Sequence, residues 1–132
     1  MRISIVIFDE FTDIDLFLMW DLFNRVRLPD WEVRIVGDKS HHISTTGLTT
    51  ATHGSIEEAN QSDVVLFVSG LGTRSKMRDE VWLSRFKLNP EKQIGSFISS
   101  ARITRKQNRN NVSDNKTRIG KIWDDSGGKA VY

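Results

Sequence analysis

Three places along this chain bring reactive residue types close together. Asp9, Asp13 and Asp15 crowd the end of the apolar run 2–8, where one carboxylate could carry a proton if burial raised its pKa. Capping the next helix is the plainer role for an acid at such a place. It is the role expected of Asp13, while for Asp15, deeper in the apolar pattern, capping and proton transfer stand equal. Gly70 and Gly72 flank Leu71 between a strand pattern and a helix pattern. Backbone N–H groups there can approach an anion or a developing oxyanion. A tight turn explains the same two glycines, and no third glycine completes a dinucleotide fingerprint. His41, His42 and His53 would be the metal candidates, but two are adjacent and their side chains diverge, so all three read as surface loop histidines and no metal is expected. The chain holds no cysteine, which removes disulfides, thiolate metal sites and a cysteine nucleophile together.

Positioning these residues requires strands that end where they begin. Arg2–Phe8 is a nearly continuous β-branched run, the mark of a buried parallel strand. Thr12 and Asp13 can start a helix in which Ile14, Phe17, Leu18, Asp21, Leu22 and Arg25 recur at helical spacing with Trp20 and Phe23, until Pro29 and Asp30 stop it. A second strand covers Trp31–Val36. A Thr-rich stretch, 43–52, holds a short extended piece around Gly47, and Ser55 opens a short helix with Glu57 and Glu58 at its positive end. A third strand is expected over Asp63–Val68, a helix through Met77, Val81, Trp82 and Phe86, and a fourth strand over Gln93–Ile98. Trp20, Trp31 and Trp82 occupy core positions. Strands alternating with helices predict a doubly wound α/β domain with a mostly parallel sheet, whose chemistry gathers at the C-terminal strand ends.

The charge divides near residue 100. Residues 1–100 carry 11 Lys+Arg against 14 Asp+Glu, whereas 101–132 carry 8 against 3. Apolar residues follow the same split, 41 of the first 100 against 9 of the last 32, too few for the tail to build a core. The expected organisation is a partial α/β domain over 1–100 and a basic, apolar-poor tail over 101–132 that is disordered or poorly packed. No apolar run is long enough to span a membrane and the N-terminus enters a strand directly, so a soluble cytoplasmic protein is expected, with no membrane partner. The basic tail lacks a helix-turn-helix pattern and interleaved aromatics, which argues against nucleic acid.

With these residues in view, a family resemblance emerges. Ile5-Val6-Ile7-Phe8-Asp9-Glu10-Phe11-Thr12-Asp13-Ile14-Asp15 resembles the opening of ThiJ/PfpI proteins. Asp63–Arg74 is similar to that family's strand and Pro-Gly-Gly-x-Gly-Thr-Arg loop, and Trp82-Leu83 and Gln93–Ser96 fall where the family has a helix and the strand leading to its nucleophile elbow. The resemblance covers 2–97 and implies a flavodoxin-like fold of the class I glutamine amidotransferase type. It implies that Asp15 takes the place of the acid that contacts the nucleophile, as in relatives similar to isonitrile hydratases. It also implies that Gly70 and Leu71 form the loop whose backbone N–H groups face the reacting centre. No cofactor is implied; a small-molecule ligand and a homodimer are.

Ser69 stands for the family's proline and Leu71 for its second loop glycine. The larger departure comes at the elbow, where Phe97-Ile98-Ser99-Ser100-Ala101 replaces the variable residue and Cys-Ser-Gly-Ala. Ile98 falls at the nucleophile and can form neither thiolate nor covalent adduct. Ser99 and Ser100 have no identifiable base beside them. The expectation is an inactive domain, truncated after about residue 97, with a non-catalytic binding or regulatory module that keeps a pocket between residues 15 and 70–73 as the alternative. The tail also reads as out of frame. Begun one base later, codons permitted for 101–107 spell Leu-Gly-Leu-Leu-Gly-Asn-Lys, those for 110–114 Thr-Thr-Tyr-Pro-Thr, and those for 121–124 Lys-Tyr-Gly-Met. These segments are similar to the helix, strand and turn that succeed the family elbow, and they come in the same order.

Overall fold

The computed structural model describes residues 1–99 and 102–103. Strand β1 (Arg2–Val6) runs into a loop and then helix α1 (Asp13–Asn24). Strand β2 (Glu32–Gly37) comes next, then a two-stranded antiparallel hairpin of β3 (His41–Ile43) and β4 (Thr49–Ala51), and the short β5 (Gly54–Ser55). The Thr-rich stretch read as one extended piece is thus a hairpin, with Gly47 in its connection at φ +95°. A 3-10 helix η1 (Ile56–Gln61) leads to β6 (Val64–Val68). Helices α2 (Thr73–Arg78) and α3 (Glu80–Ser84) lead to β7 (Ile94–Ser99), which turns back into β8 (Arg102–Ile103). The single helix expected through Met77 and Phe86 is two, because Asp79 leaves helical geometry and its carboxylate accepts from the Trp82 N–H at 3.0 Å, starting a new helix.

The main sheet has the order β5-β2-β1-β6-β7-β8, parallel except for the β7–β8 return. Its central run β2-β1-β6-β7 is the start of the flavodoxin-like strand order. The chain leaves β1 through α1 toward β2, then returns past β1 to β6 and continues outward to β7. Right-handed crossovers in these opposite directions place α1 on one face and η1, α2 and α3 on the other. The side chains agree. Register puts Ser4, Val6 and Phe67 on one face, and there Ser4 Oγ lies 2.6 Å from Ser62 Oγ, while Phe67 packs edge-on against Trp82 and Phe86.

Every residue from Ile3 to Phe8 is buried, as the β-branched run predicted for a strand covered on both faces. Phe8, Phe67, Trp82 and Phe86 form an aromatic cluster with centroids 4.7–6.4 Å apart. Burial of each contributes about 2 kcal/mol. Helix α1 buries Asp15, Leu16 and Met19, while Ile14, Phe17, Leu18 and Leu22 stay exposed. The recurring positions read from the sequence are therefore the outer face. A helix apolar all round gives periodicity no means of choosing its side. Trp82 is in the core; Trp20 and Trp31 are half-buried against it. No helix among the described residues is long and apolar enough to cross a membrane. The tail expected over 101–132 lies outside the described residues except for β8.

Candidate functional site

Chain direction reverses on either side of β1, and the C-terminal ends of β1 and β6 are the place where doubly wound sheets bind ligands. Residues 9–15 and 69–73 meet there, as the strand pattern requires. The two segments are stitched together by backbone: the Thr12 N–H donates to Ser69 O at 2.8 Å, and Phe11 and Gly70 form an isolated bridge. A Cβ at Gly70 would lie 2.1 Å from Glu10 O and 2.6 Å from Phe11 Cα. Close approach of two loops is what this glycine permits. Its N–H donates to Thr73 Oγ1 at 2.9 Å, and the Gly72 N–H reaches Glu10 O at 3.3 Å. Both glycine amides are engaged, that of Gly70 within the turn and that of Gly72 on the facing loop. Leu71 stands half-exposed at its tip.

Asp15 sits in the first turn of α1 with 2% exposure, and Ser69 directly after β6 with 6%. The Ser69 hydroxyl donates to Asp15 Oδ2 at 2.6 Å. This charge-assisted bond fixes the carboxylate across 54 residues of sequence. It is the centre of the candidate site, and in the sequence Ser69 stands out only as a substitution. β7 supplies the third side. Register pairs Ile98 with Val68, the residue before Ser69, so the backbone of Ile98 lies beside the strand end that carries the Asp15–Ser69 pair. The structure thus brings Asp15, Gly70, Leu71 and the Ile98 backbone to one end of the sheet.

The other acids do different work. The expected capping role of Asp13 is not seen: its carboxylate accepts from Ser44 Oγ at 2.8 Å and from Thr46 Oγ1, pinning the hairpin connection to α1. Thr12, at the N-cap position, makes no side-chain cap bond. Burial pushes Asp13 up, but the Thr46 and Ser44 hydroxyls outweigh it and leave the carboxyl below its usual range. Asp9 accepts from Lys39 Nζ and from the Ile43 N–H, and lies 3.0 Å from His42 Nδ1. The Lys39 hydrogen bond, helped by His42 and Ile43, lowers Asp9 to about 2 against a smaller opposing effect of burial.

His42 corrects the reading of loop histidines. It is 1% exposed, with Nε2 3.3 Å from Asp38, which also binds Lys76 of α2 at 3.2 Å. The alternation of β3 turns His41 outward and His42 inward, so the two side chains diverge as expected but only His41 stays at the surface. His53 is exposed, as read from the sequence, and stacks on Trp20 with centroids 5.1 Å apart. Among the described residues no group of three His, Asp or Glu side chains is placed to hold a metal ion. A groove of about 380 Å3 lies at the ends of β2 and β5, lined by Gly37–Ser40 and Thr52–Ser55, beside the switch point and away from the Asp15–Ser69 pair.

No family model matches the sequence, and no curated protein matches it. Solved structures do match its fold. A ThiJ/PfpI family protein from Pseudomonas syringae has a TM-score of 0.62 at 16% identity, covering 73% of this chain and 40% of its own. A ThiJ/PfpI domain protein from Brachyspira murdochii has 0.56 at 18%, covering 73% and 57%. Oxidized DJ-1 from Toxoplasma gondii has 0.59 at 12%, covering 73% and 54%. The fold is that of the N-terminal portion of ThiJ/PfpI and DJ-1 superfamily proteins, and the chain spans roughly half the length of these structures.

Proposed function

We propose that this chain is a ThiJ/PfpI-like domain protein that does not carry out nucleophilic chemistry, and whose intact relatives are small-molecule hydrolases or hydratases similar to isonitrile hydratases, or stress proteins. One observation supports the reading: Ile98, at the position implied for the nucleophile, pairs through its backbone with Val68, the residue before Ser69, in a chain without cysteine. A buried carboxylate beside the glycine loop supports chemistry on a covalent adduct, and isoleucine forms none. Purified protein assayed for hydratase, amidase and deglycase activity is expected to show no turnover. Turnover that disappears in Asp15→Ala would overturn the proposal and make Asp15 a general base acting on water.

The groove of about 380 Å3 at the ends of β2 and β5 favours a second reading, a non-catalytic small-molecule-binding module. Ligand-dependent stabilisation in a thermal-shift screen supports that reading, and a flat screen removes it. The remaining assignments belong to the same proposal: cytoplasmic location, no nucleic-acid or membrane partner, and a domain boundary near residue 100. A frame change near the Ser96–Ser100 codons would remove the cysteine elbow and shift the tail in one event. The gene sequence tests it. The proposal requires AGA or AGG at Arg102, Arg105, Arg109 and Arg118, ATT at Ile103 and ACT at Thr104, with the shifted frame open past Tyr132; CGN codons or an early stop there eliminate it.

A further inference from the structure

We propose that His42 is a proton-operated clasp: with its imidazole charged, it ties the loop after β1 to α2 and so holds together the two segments of the candidate site. The inference goes beyond the function proposed above and does not depend on whether the site performs chemistry. The His42 side chain is 1% exposed, and each ring nitrogen faces a carboxylate from a different loop, Nδ1 that of Asp9 at 3.0 Å and Nε2 the Oδ1 of Asp38 at 3.3 Å. Gly37 leaves room for the ring, since a Cβ there would lie 2.5 Å from Nε2.

Two hydrogen bonds compete for Nε2. The Lys39 backbone N–H donates to it at 3.4 Å, a bond that needs the lone pair of a neutral ring. Asp38 Oδ1 can instead accept from an Nε2–H, and with the Nδ1–H directed at Asp9 that requires the imidazolium. Against the neutral ring Asp38 Oδ1 is buried with no hydrogen-bond donor among the described residues, a cost that a proton on Nε2 relieves. The surrounding charges favour the same form. Around the ring stand Asp9 after β1, Asp38 and Lys39 after β2, Lys76 of α2 bound to Asp38 at 3.2 Å, and Asp79 at 4.0 Å from Lys76. Three carboxylates oppose two ammonium groups, so a charged His42 balances the cluster and offsets the cost of its own burial. Arg85, which also feels the Asp38 charge, is already paired with Glu57, and the segment after β4 brings only the uncharged Thr52 to the same place. Charging the ring completes a path through the fold. Asp9 directly precedes Glu10, whose carbonyl accepts from the Gly72 N–H at 3.3 Å, and Asp38 holds α2, which begins immediately after that turn. The path from Asp9 through His42 and Asp38 to Lys76 therefore joins segment 9–15 to segment 69–73 independently of the Asp15–Ser69 bond. Because the folded chain gains this contact by binding a proton, its contribution is present on the acid side of the histidine range and lost as pH rises through it.

Nuclear magnetic resonance of the full chain with labelled histidine nitrogens, together with urea unfolding, tests this. As pH falls from about 8 to about 6, the His42 Nε2 signal is expected to pass from that of an unprotonated nitrogen to that of a protonated one, and the Lys39 amide resonance to shift as it loses its acceptor. Asp38→Asn gives the neutral ring an N–H donor while its amide oxygen still accepts from Lys76, so it should keep the clasp shut without the proton. Over the same interval the folding equilibrium constant of the wild type should rise about tenfold relative to that of this variant. His42→Gln removes the titrating ring and should lose the same pH dependence, and the other histidines are common to all three chains and cancel from the comparison. An Nε2 that stays unprotonated throughout, or a wild type whose stability runs parallel to that of either variant across the interval, would overturn the proposal.

Discussion

A buried carboxylate must be compensated, and at Asp15 the Ser69 hydroxyl provides part of that compensation. Ser69→Ala is expected to cost roughly 2 kcal/mol in urea unfolding, and Asp15→Ala a similar amount, because each leaves a buried polar group short of a partner. The double variant should cost less than the sum by about 1 kcal/mol, the signature of direct coupling. A strictly additive result would show that the 2.6 Å contact contributes nothing of its own. Gly70→Ala should cost more, about 3 kcal/mol, because a methyl group there meets the Glu10 and Phe11 backbone. Acid titration reads two other residues. Lys39 lowers Asp9 from 3.8 to about 2, and Arg85 lowers Glu57 from 4.5 to about 2. Carboxyls lowered in the fold contribute stability that is complete above their unfolded pKa and lost as pH falls toward the folded value. Denaturant midpoints are therefore expected to hold down to about pH 4.5 and to fall between there and about pH 2. Lys39→Met should remove the Asp9 share, so that the fall over this pH window becomes shallower, by a small amount because solvent screens this exposed pair. Asp15 was legible as a site residue because its neighbours in sequence are apolar. The roles of Ser69 and His42 were not, since their partners lie 54 and 33 residues away and side-chain type alone does not announce a distant partner.

Among the secondary-structure elements, the outer side of β2 shows how a short sheet protects an edge. β5 covers only Val36 and Gly37. Upstream, the Ile35 N–H donates to His53 Nδ1 at 2.8 Å and Ile35 O accepts from the His53 N–H at 2.7 Å. One residue thus occupies both polar groups that Ile35 would offer to another strand. With Nδ1 accepting, the ring proton sits on Nε2. His53→Ala is expected to lower stability by about 1–2 kcal/mol and to raise light scattering on mild heating. A variant that loses stability without added scattering would separate the hydrogen bond from edge protection. Strand positions were readable because β-branched runs at the sheet centre leave little choice of element. The α2–α3 break was not, because Met77, Val81, Trp82 and Phe86 fit one continuous helix and only the local hydrogen bond from the Trp82 N–H to Asp79 ends it. The same limit applies to α1, where the buried side was decided by the sheet beneath.

For the whole molecule, the boundary near residue 100 can be tested without reference to chemistry. Limited trypsin digestion is expected to cut at Arg102, Arg105 or Lys106 well before Arg85, which is held by Glu57. Equal protection would place the tail within the folded unit. The strand order carries one more consequence, for synthesis on the ribosome. β1 leaves the exit tunnel first, yet it is flanked on both sides, Val6 against Val36 on one edge and against Phe67 on the other. The first of these pairings becomes available with α1 and β2, a local right-handed unit that can close early. The second must wait for about thirty more residues, a delay on the order of seconds at ordinary synthesis rates. During that interval an Ile-Ser-Ile-Val edge is open on a nascent chain that already has one face formed. Neighbouring chains on the same message would meet it in register, so slowed translation between the β2 and β6 codons should lower the yield of soluble protein more than the same slowing placed after β6.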